Sequence, residues 1–157
     1  MIEWKYTESY GASIDPKGNT TRKTRYENIA FDPNGPIRTD LDLKLEELFY
    51  ESFYQLLRQQ MLAFRMQRAR ECDADLVRVL LIAPSVNEAL KKVTAPALRR
   101  FGINAFQVWK QLLVKQQDFI SRTTEELFSP LVDAADANDG PWASYLRTRY
   151  KFLSAPI

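Results

Sequence analysis

Two residues near the beginning of the chain could do chemistry together, Glu3 and Lys5 in the segment Ile2-Glu3-Trp4-Lys5-Tyr6. The segment alternates in character, which predicts a strand with Glu3 and Lys5 on one face and Trp4 on the other. The two residues should then stand about 7 Å apart along the backbone. This pairing suits metal-assisted hydrolysis of a phosphodiester. The carboxylate would hold Mg²⁺, while the ammonium would orient or deprotonate the attacking water and offset charge on the phosphate.

The absence of histidine narrows the possible chemistry. None of the 157 residues is histidine, so Ser-His-Asp and Cys-His catalysis, histidine-based zinc sites and histidine general bases are excluded for the chain acting alone. The sequence also has no glycine-rich phosphate loop. Catalysis by this chain would therefore use carboxylates, lysine, tyrosine or a hard metal ion bound by oxygen atoms.

The Glu-x-Lys spacing has little specificity without its context. An acidic residue two positions before a lysine is expected roughly once per 150 residues at average composition. The chain has three such matches, Glu3-Trp4-Lys5, Asp15-Pro16-Lys17 and Asp42-Leu43-Lys44. The second falls in a turn that contains proline, and the third falls at a predicted helix start, where positions two apart point in different directions. Only the first has strand context, and a solvated strand face remains the alternative interpretation.

Periodic segments further along the chain predict the elements that would position this strand. Apolar residues at spacings of three and four predict one long helix, or two in succession, between residues 39 and 70, opened by a capping box of Thr39 and Asp42. Residues 76–83 are continuously apolar apart from Arg78, which predicts a strand buried on both faces of a parallel sheet. The predicted starts of later helices are Ser85 with Glu88, Asn104, Thr123 with Glu126, and the segment after Gly140.

The helix that begins at Asn104 is predicted to include Ile120 in its apolar stripe. Three aromatic residues on helical stripes, Trp109, Trp142 and Tyr145, are predicted to lie in the core rather than to stack on nucleic-acid bases.

Composition places the chain among globular proteins. It is 45 % hydrophobic and 27 % charged, so we expect a soluble single domain over residues 1–157. The single cysteine, Cys72, cannot form an internal disulfide, and no apolar run could cross a bilayer, so we expect a cytoplasmic protein. The net charge of +2 does not by itself indicate nucleic-acid binding. Basic residues nevertheless cluster at positions 22–25 and again at 65–70.

Several short motifs together resemble one family. The segment from Ile2 to Tyr10 resembles the third core strand of the PD-(D/E)XK nuclease superfamily, most closely a bacterial branch of restriction-endonuclease-like proteins. The later motifs that resemble this branch are Thr24-Arg25-Tyr26, Tyr54-Gln55-Leu56-Leu57-Arg58-Gln59, the apolar strand from Val77 to Ala83, and the segment from Trp142 to Tyr150. The resemblance implies a helix-rich α/β fold. It would be a partial restriction-endonuclease-like core of strand, helix and strand, followed by a C-terminal helical region.

The resemblance also implies site residues, a cofactor and a partner. Glu3 would bind Mg²⁺, Lys5 would be the catalytic lysine, and DNA would be the substrate. Because Gln55, Arg58 and Gln59 are three and four residues apart, they can share one helix face, either turned to the active site or solvated. Candidates for phosphate contacts are Arg22, Lys23 and Arg25, which could equally form a basic surface loop.

The family pattern places an aspartate on the strand before the Glu-x-Lys strand. We therefore expect this chain to correspond to the C-terminal part of the nuclease domain, without the first helix and strands. It would then act as a homodimer or with a separate N-terminal portion. The competing hypothesis is a non-catalytic helical interaction module or a degenerate nuclease remnant, in which an exposed edge of the first strand pairs with another chain.

Overall fold

The computed structural model of the chain describes residues 1–5, 19–134 and 141–150. Its strands form a parallel sheet in the order β1 (Ile2–Trp4), β2 (Val79–Ala83) and β3 (Phe119–Thr123). The helices in these residues are α1 (Asn19–Ala30), α2 (Phe53–Ala69), α3 (Glu88–Lys91), α4 (Ala105–Leu112), α5 (Thr124–Ala134) and α6 (Pro141–Arg149). Short 3₁₀ turns lie at Leu45–Leu48, Glu71–Asp73, Pro96–Phe101 and Gln116–Asp118. This arrangement confirms the prediction of a helix-rich α/β fold.

The central strand β2 explains how β1 is held. Glu3 lies opposite Leu81 in the parallel register, and the amide of Lys5 extends the pairing by donating to the carbonyl of Ile82 at 2.8 Å. β2 lies between β1 and β3 in the sheet, and side chains on both of its faces are buried, as predicted. The strand begins at Val79 rather than at Leu76, whose side chain is exposed.

The core lies between the sheet and helices α2 and α4. Phe53 on α2 meets Trp109 on α4 with their ring centroids 6.5 Å apart, and Trp109 is completely buried, as predicted. The prediction that Trp142 and Tyr145 lie in the core is wrong, because both are exposed on α6. Both residues lie on a helix, as their spacing predicts. However, α6 is only weakly amphipathic, and the side chains of Trp142 and Tyr145 are not buried.

The start of the long helical region differs from the prediction. Thr39 and Asp42 do not cap a helix; instead, a 3₁₀ turn begins at Leu45, where the backbone amide of Lys44 donates to Glu47 at 2.8 Å. Asp42 has a positive φ of 48°, which is incompatible with the first turn of an α-helix. The regular helix α2 starts only at Phe53, so the region contains a 3₁₀ turn and one α-helix in succession.

A third strand replaces the second half of a predicted helix. Asn104 caps α4 as predicted, accepting from the amides of Phe106 and Gln107. The helix ends at Leu112, however, and Ile120 lies in β3, opposite Leu80. A short apolar segment is compatible with either a helix or a buried strand. Residues 119–123 form a strand because they pair with β2.

The two capping boxes predicted around the sheet have different outcomes. Thr123 and Glu126 form one at the start of α5, with the Glu126 amide donating to the Thr123 hydroxyl at 3.0 Å and the Thr123 amide donating to Glu126 at 2.7 Å. Ser85 does not pair with Glu88. Its hydroxyl and amide instead donate to the carboxylate of Glu125, and Asn87 caps α3.

Candidate active site

The predicted pair on β1 is close in space. The ammonium nitrogen of Lys5 lies 2.7 Å from a carboxylate oxygen of Glu3, so both side chains extend from the same face of the strand. Lys5 is 9 % exposed, whereas the side chain of Glu3 is 30 % exposed. The ammonium group of Lys5 is therefore the more buried member of the pair, and the carboxylate of Glu3 is more accessible to solvent. Burial weakens solvent screening of this ion pair.

Helix α2 brings the predicted polar residues to the same place. Gln55, Arg58 and Gln59 share one helix face, as their spacing requires, and that face is turned toward β1. A cavity of about 480 Å³ is lined by Glu3, Lys5, Tyr26, Gln55, Arg58, Gln59 and Leu62. Five residues selected from the sequence thus line one cavity, with two contributed by β1 and three by α2. We call this cavity the β1–α2 pocket.

A much smaller cavity lies behind the ion pair. It has a volume of about 10 Å³ and is bordered by Glu3, Lys5, Ser52, Gln55 and Gln59 together with apolar side chains. This is about the space of a single water molecule. The hydroxyl of Ser52 and the amide oxygen of Gln59 are both buried, and neither has a hydrogen-bond partner among the described residues. Two oxygen atoms able to accept hydrogen bonds or bind a cation therefore lie beside the ion pair.

Aromatic residues connect α1 to this pocket. The guanidinium of Arg22 on α1 lies 5.2 Å from the centre of the Tyr54 ring, and that of Arg58 lies 5.7 Å from it. Both distances are within the range of cation–π attraction. Tyr26 packs against Tyr54 with ring centroids 6.2 Å apart. Burial, together with a hydrogen bond to Tyr54, raises the pKa of the Tyr26 hydroxyl. The phenol is therefore neutral near pH 7.

The basic residues of α1 differ in the groups that they contact. Arg22 lies against the Tyr54 ring on α2 and does not itself line the β1–α2 pocket. Lys23 instead lies 2.8 Å from Glu46 and 3.8 Å from Glu27, outside the pocket lining. The hydrogen bond to Glu46 raises the pKa of the Lys23 ammonium, with the charge of Glu27 adding to the effect. Arg25 is exposed on α1 and does not line the pocket either.

The other acid–lysine spacings do not reproduce this geometry. Lys44 is exposed before the 3₁₀ turn at Leu45–Leu48, and no ion pair joins it to Asp42 among the described residues. Asp15 and Lys17 lie outside the described residues. Strand context therefore distinguishes Glu3 and Lys5, as expected from the alternation of the segment.

Sequence reasoning did not identify Ser52, Tyr26 or Tyr54 as site residues. Tyr26 and Tyr54 occur inside the quoted family motifs, but their contacts depend on how α1 packs against α2. Ser52 immediately precedes α2, and its hydroxyl makes no capping hydrogen bond. No local signal distinguished it from an ordinary helix-start serine.

Within residues 1–5, 19–134 and 141–150, no cluster of three or more acidic, cysteine or histidine side chains is arranged to hold a metal ion. Glu3 is the one carboxylate that these described residues contribute to the β1–α2 pocket. Its neighbours there are amide, ammonium and guanidinium groups. No helix in the described part of the chain is long and apolar enough to span a bilayer.

Comparison with known proteins identifies a family. No curated protein and no solved structure matches the chain. A family described as restriction endonuclease associating with ARP has a model that matches residues 1–151, which include both β1 and α2. The agreement extends over nearly all of the 157 residues. The chain therefore belongs to the family of restriction endonucleases associating with ARP.

Proposed function

We propose that the protein is a Mg²⁺-dependent DNA endonuclease of the PD-(D/E)XK type that hydrolyses phosphodiester bonds in the β1–α2 pocket. The observation that carries the proposal is the convergence of two separate elements on one cavity. Glu3 and Lys5 on β1 face Gln55 and Gln59 on α2, although the sequence separates the two pairs by about fifty residues. The family to which the chain belongs is described by the same class of activity.

The donor atoms of the pocket suit a hard divalent cation. Glu3 offers a half-exposed carboxylate, and Gln59 offers a buried amide oxygen that has no hydrogen-bond partner among the described residues. In proteins Mg²⁺ keeps several waters and is bound through one or two carboxylates together with substrate phosphates. One carboxylate and one amide oxygen can therefore hold Mg²⁺ when DNA supplies further oxygens. When bound, Mg²⁺ supplies polarisation of a phosphoryl oxygen.

The protein's own residues would contribute charge and position. The ammonium of Lys5 would donate hydrogen bonds to a phosphate oxygen and offset the negative charge that develops there during attack by water. Because Lys5 is 9 % exposed, that interaction is less screened than one on the surface. Gln55 and Gln59 would orient the attacking water through their amide groups. Arg58, exposed at the mouth of the pocket and stacked on Tyr54, would bind a neighbouring phosphate.

The family description favours a protein partner as well. We propose that the chain acts in association with the partner called ARP in that description. The non-catalytic interaction module stays the second candidate, since association with a partner is what the description names alongside nuclease activity. The two candidates differ in whether the β1–α2 pocket is needed for the biological effect.

Cleavage of supercoiled plasmid by the full chain tests the proposal. We expect Mg²⁺ to convert the plasmid to nicked or linear forms and excess EDTA to prevent this. Glu3→Gln keeps the shape of the side chain but removes the carboxylate charge, so we expect cleavage to fall at least about tenfold at a fixed Mg²⁺ concentration. Glu47→Gln, on the 3₁₀ turn away from the pocket, is the control and should cleave at the wild-type rate. Equal cleavage by wild type and Glu3→Gln would contradict the proposal.

A further inference from the structure

A second cavity lies further along helix α2 than the β1–α2 pocket. It has a volume of about 360 Å³ and is bordered on the α2 side by Phe64, Arg65 and Arg68. The end of α1 and the turn after it supply the opposite wall through Asn28, Ile29 and Asp32. Because α2 lines both cavities, and α1 contributes Tyr26 to the first and Asn28 and Ile29 to the second, we refer to them together as the α1–α2 groove.

The contacts between the two helices advance in the same direction along both. Arg22 and Tyr26 meet Tyr54 near the start of α2, whereas Ile29 faces Arg65 and Arg68 near its end. With a rise of about 1.5 Å per residue, Arg65 lies about 10 Å beyond Arg58 and Arg68 about 15 Å beyond it. Arg58, Arg65 and Arg68 therefore lie at increasing distances from Glu3 and Lys5 along α2.

The arginines of this wall are not neutralised by the part of the chain that the structure describes. Arg58, Arg65 and Arg68 are exposed, and none of the three forms an ion pair with a described residue. By contrast, Arg38 is paired with Asp40 and Arg70 with Asp75. Three exposed guanidiniums on one helix, none with an ion-pair partner among the described residues, make this wall attractive to an anion.

The one carboxylate that the described residues contribute to the second cavity already accepts a hydrogen bond. One carboxylate oxygen of Asp32 accepts from the backbone amide of Asn34 at 2.7 Å, so this side chain belongs to the turn that ends α1. The guanidinium of Arg68 lies 5.6 Å from the centre of the Phe64 ring, which orients it without removing its charge. Lys5, Arg58, Arg65 and Arg68 outnumber Glu3 and Asp32 among the residues that line the two cavities, so the groove is cationic.

We propose that the α1–α2 groove binds the sugar–phosphate backbone of DNA on one side of the cleavage site, with Arg65 and Arg68 each contacting a phosphate. Successive phosphates of one strand are about 3.4 Å apart along the duplex axis, so the two arginines would contact phosphates about three to four base pairs from the one at Arg58. This inference rests on the proposed function, because the distance is counted from the β1–α2 pocket. It gives a role to Arg65 and Arg68 of the basic cluster at residues 65–70, to which the Glu3–Lys5 chemistry assigned none.

DNA binding without cleavage tests the inference. The full chain, in EDTA, is titrated against a fluorescently labelled duplex at a series of salt concentrations. Each phosphate contact contributes about 0.9 to the slope of log K against log salt. We therefore expect Arg65→Gln/Arg68→Gln to lower the magnitude of the slope by about 1.8 and to weaken binding at low salt. Arg70→Gln is the matched control. It removes an exposed arginine directly after α2, but one paired with Asp75, and should leave the slope unchanged.

The outcomes separate this inference from the proposed function. If the double variant and wild type give the same slope while wild type still cleaves plasmid with Mg²⁺, the groove assignment is wrong and the nuclease proposal stands. That result would assign the arginines to an acidic protein partner instead. Equal loss of slope in Arg70→Gln would also overturn the inference, since the effect would then be general charge. Absence of DNA binding by wild type would overturn the groove assignment, and absence of Mg²⁺-dependent cleavage by wild type would overturn the proposed function as well.

Discussion

The ammonium of Lys5 and the carboxylate of Glu3 form an ion pair at 2.7 Å on one face of β1, with Lys5 the more buried partner. A cation that binds Glu3 must therefore compete with Lys5 or share the carboxylate with it. The same contact holds the lysine side chain at the lining of the pocket. Metal binding and lysine chemistry are consequently linked through Glu3 and can be separated by substitution.

The first prediction concerns metal binding. Lys5→Ala removes the competing ammonium, so we expect Mg²⁺ to bind the variant at least as tightly as it binds wild type. Glu3→Gln removes the carboxylate, and we expect the binding heat to disappear. Isothermal titration calorimetry with Mg²⁺ alone measures both. Retention of wild-type affinity by Glu3→Gln would show that Glu3 is not the ligand.

The second prediction concerns two adjacent buried amides. The side-chain oxygens of Gln59 and Gln60 are both buried without a hydrogen-bond partner among the described residues, but only Gln59 borders the β1–α2 pocket. A buried unsatisfied group costs about 1–3 kcal/mol, so replacement by leucine, which has a similar volume, should raise the free energy of unfolding by roughly 1 kcal/mol in each case. We expect Gln59→Leu to lower plasmid cleavage as well, whereas Gln60→Leu should leave it unchanged.

Urea unfolding and a cleavage assay on the same two preparations check this prediction. A loss of cleavage in both variants would indicate a general disturbance of α2 rather than a role for Gln59. Destabilisation of both variants would show that the amides are satisfied in solution, for example by buried water.

Local periodicity accounts for the part of the site that the sequence predicted. The alternation of the first segment predicts that Glu3 and Lys5 share one face of a strand. Helical spacing predicts that Gln55 and Gln59 share one face of a helix. Both rules act within a few residues, so they do not depend on the rest of the fold. The buried character of β2 was predictable for the same reason, because its continuous apolar run is a local signal.

Long-range packing accounts for what the sequence did not predict. Ile120 belongs to β3 because it pairs with Leu80, forty residues away, and its own segment is equally compatible with a helix. Ser52 borders the small cavity only because of how α2 is positioned relative to β1. Likewise, the contact of Arg22 with Tyr54 requires α1 to pack on α2. No pattern within a single element contains this information.

The third prediction concerns the connection between β2 and α5. Both carboxylate oxygens of Glu125 accept from the Ser85 amide at 3.1 Å, and one also accepts from the Ser85 hydroxyl at 2.7 Å. These charge-assisted hydrogen bonds fasten the carboxyl end of β2 to the start of α5. We expect Glu125→Ala to lower the free energy of unfolding by about 2 kcal/mol, since it leaves a part-buried amide and hydroxyl without their acceptor.

Chemical denaturation in urea measures this loss. Glu126→Ala is the neighbouring control, because Glu126 is exposed and completes only the capping box with Thr123. Its loss should be about 1 kcal/mol or less. An equal effect of the two substitutions would contradict the assignment of Glu125 as the stronger link.

The fourth prediction is a pH dependence. The hydrogen bond from Lys23 lowers the pKa of the Glu46 carboxyl below its ordinary value. A lowered folded-state pKa means that the stabilisation is present above the ordinary pKa and is lost as pH falls through the lowered one. We expect the melting temperature of Glu46→Gln to lie slightly below that of wild type at neutral pH. In strong acid the two melting temperatures should be equal. Differential scanning calorimetry across this range checks the sign, and a difference that grows with acidity would contradict it.

The most direct test of the central claim compares two lysines in the same type of tripeptide. Lys5 follows Glu3 on a strand and lines the β1–α2 pocket, whereas Lys44 follows Asp42 and is exposed outside it. The measurement is the initial rate of Mg²⁺-dependent plasmid cleavage by the full chain carrying Lys5→Ala or Lys44→Ala. We predict that Lys5→Ala abolishes cleavage and that Lys44→Ala cleaves like wild type. Cleavage by Lys5→Ala at the wild-type rate would contradict the assignment of Lys5, and with it the active site.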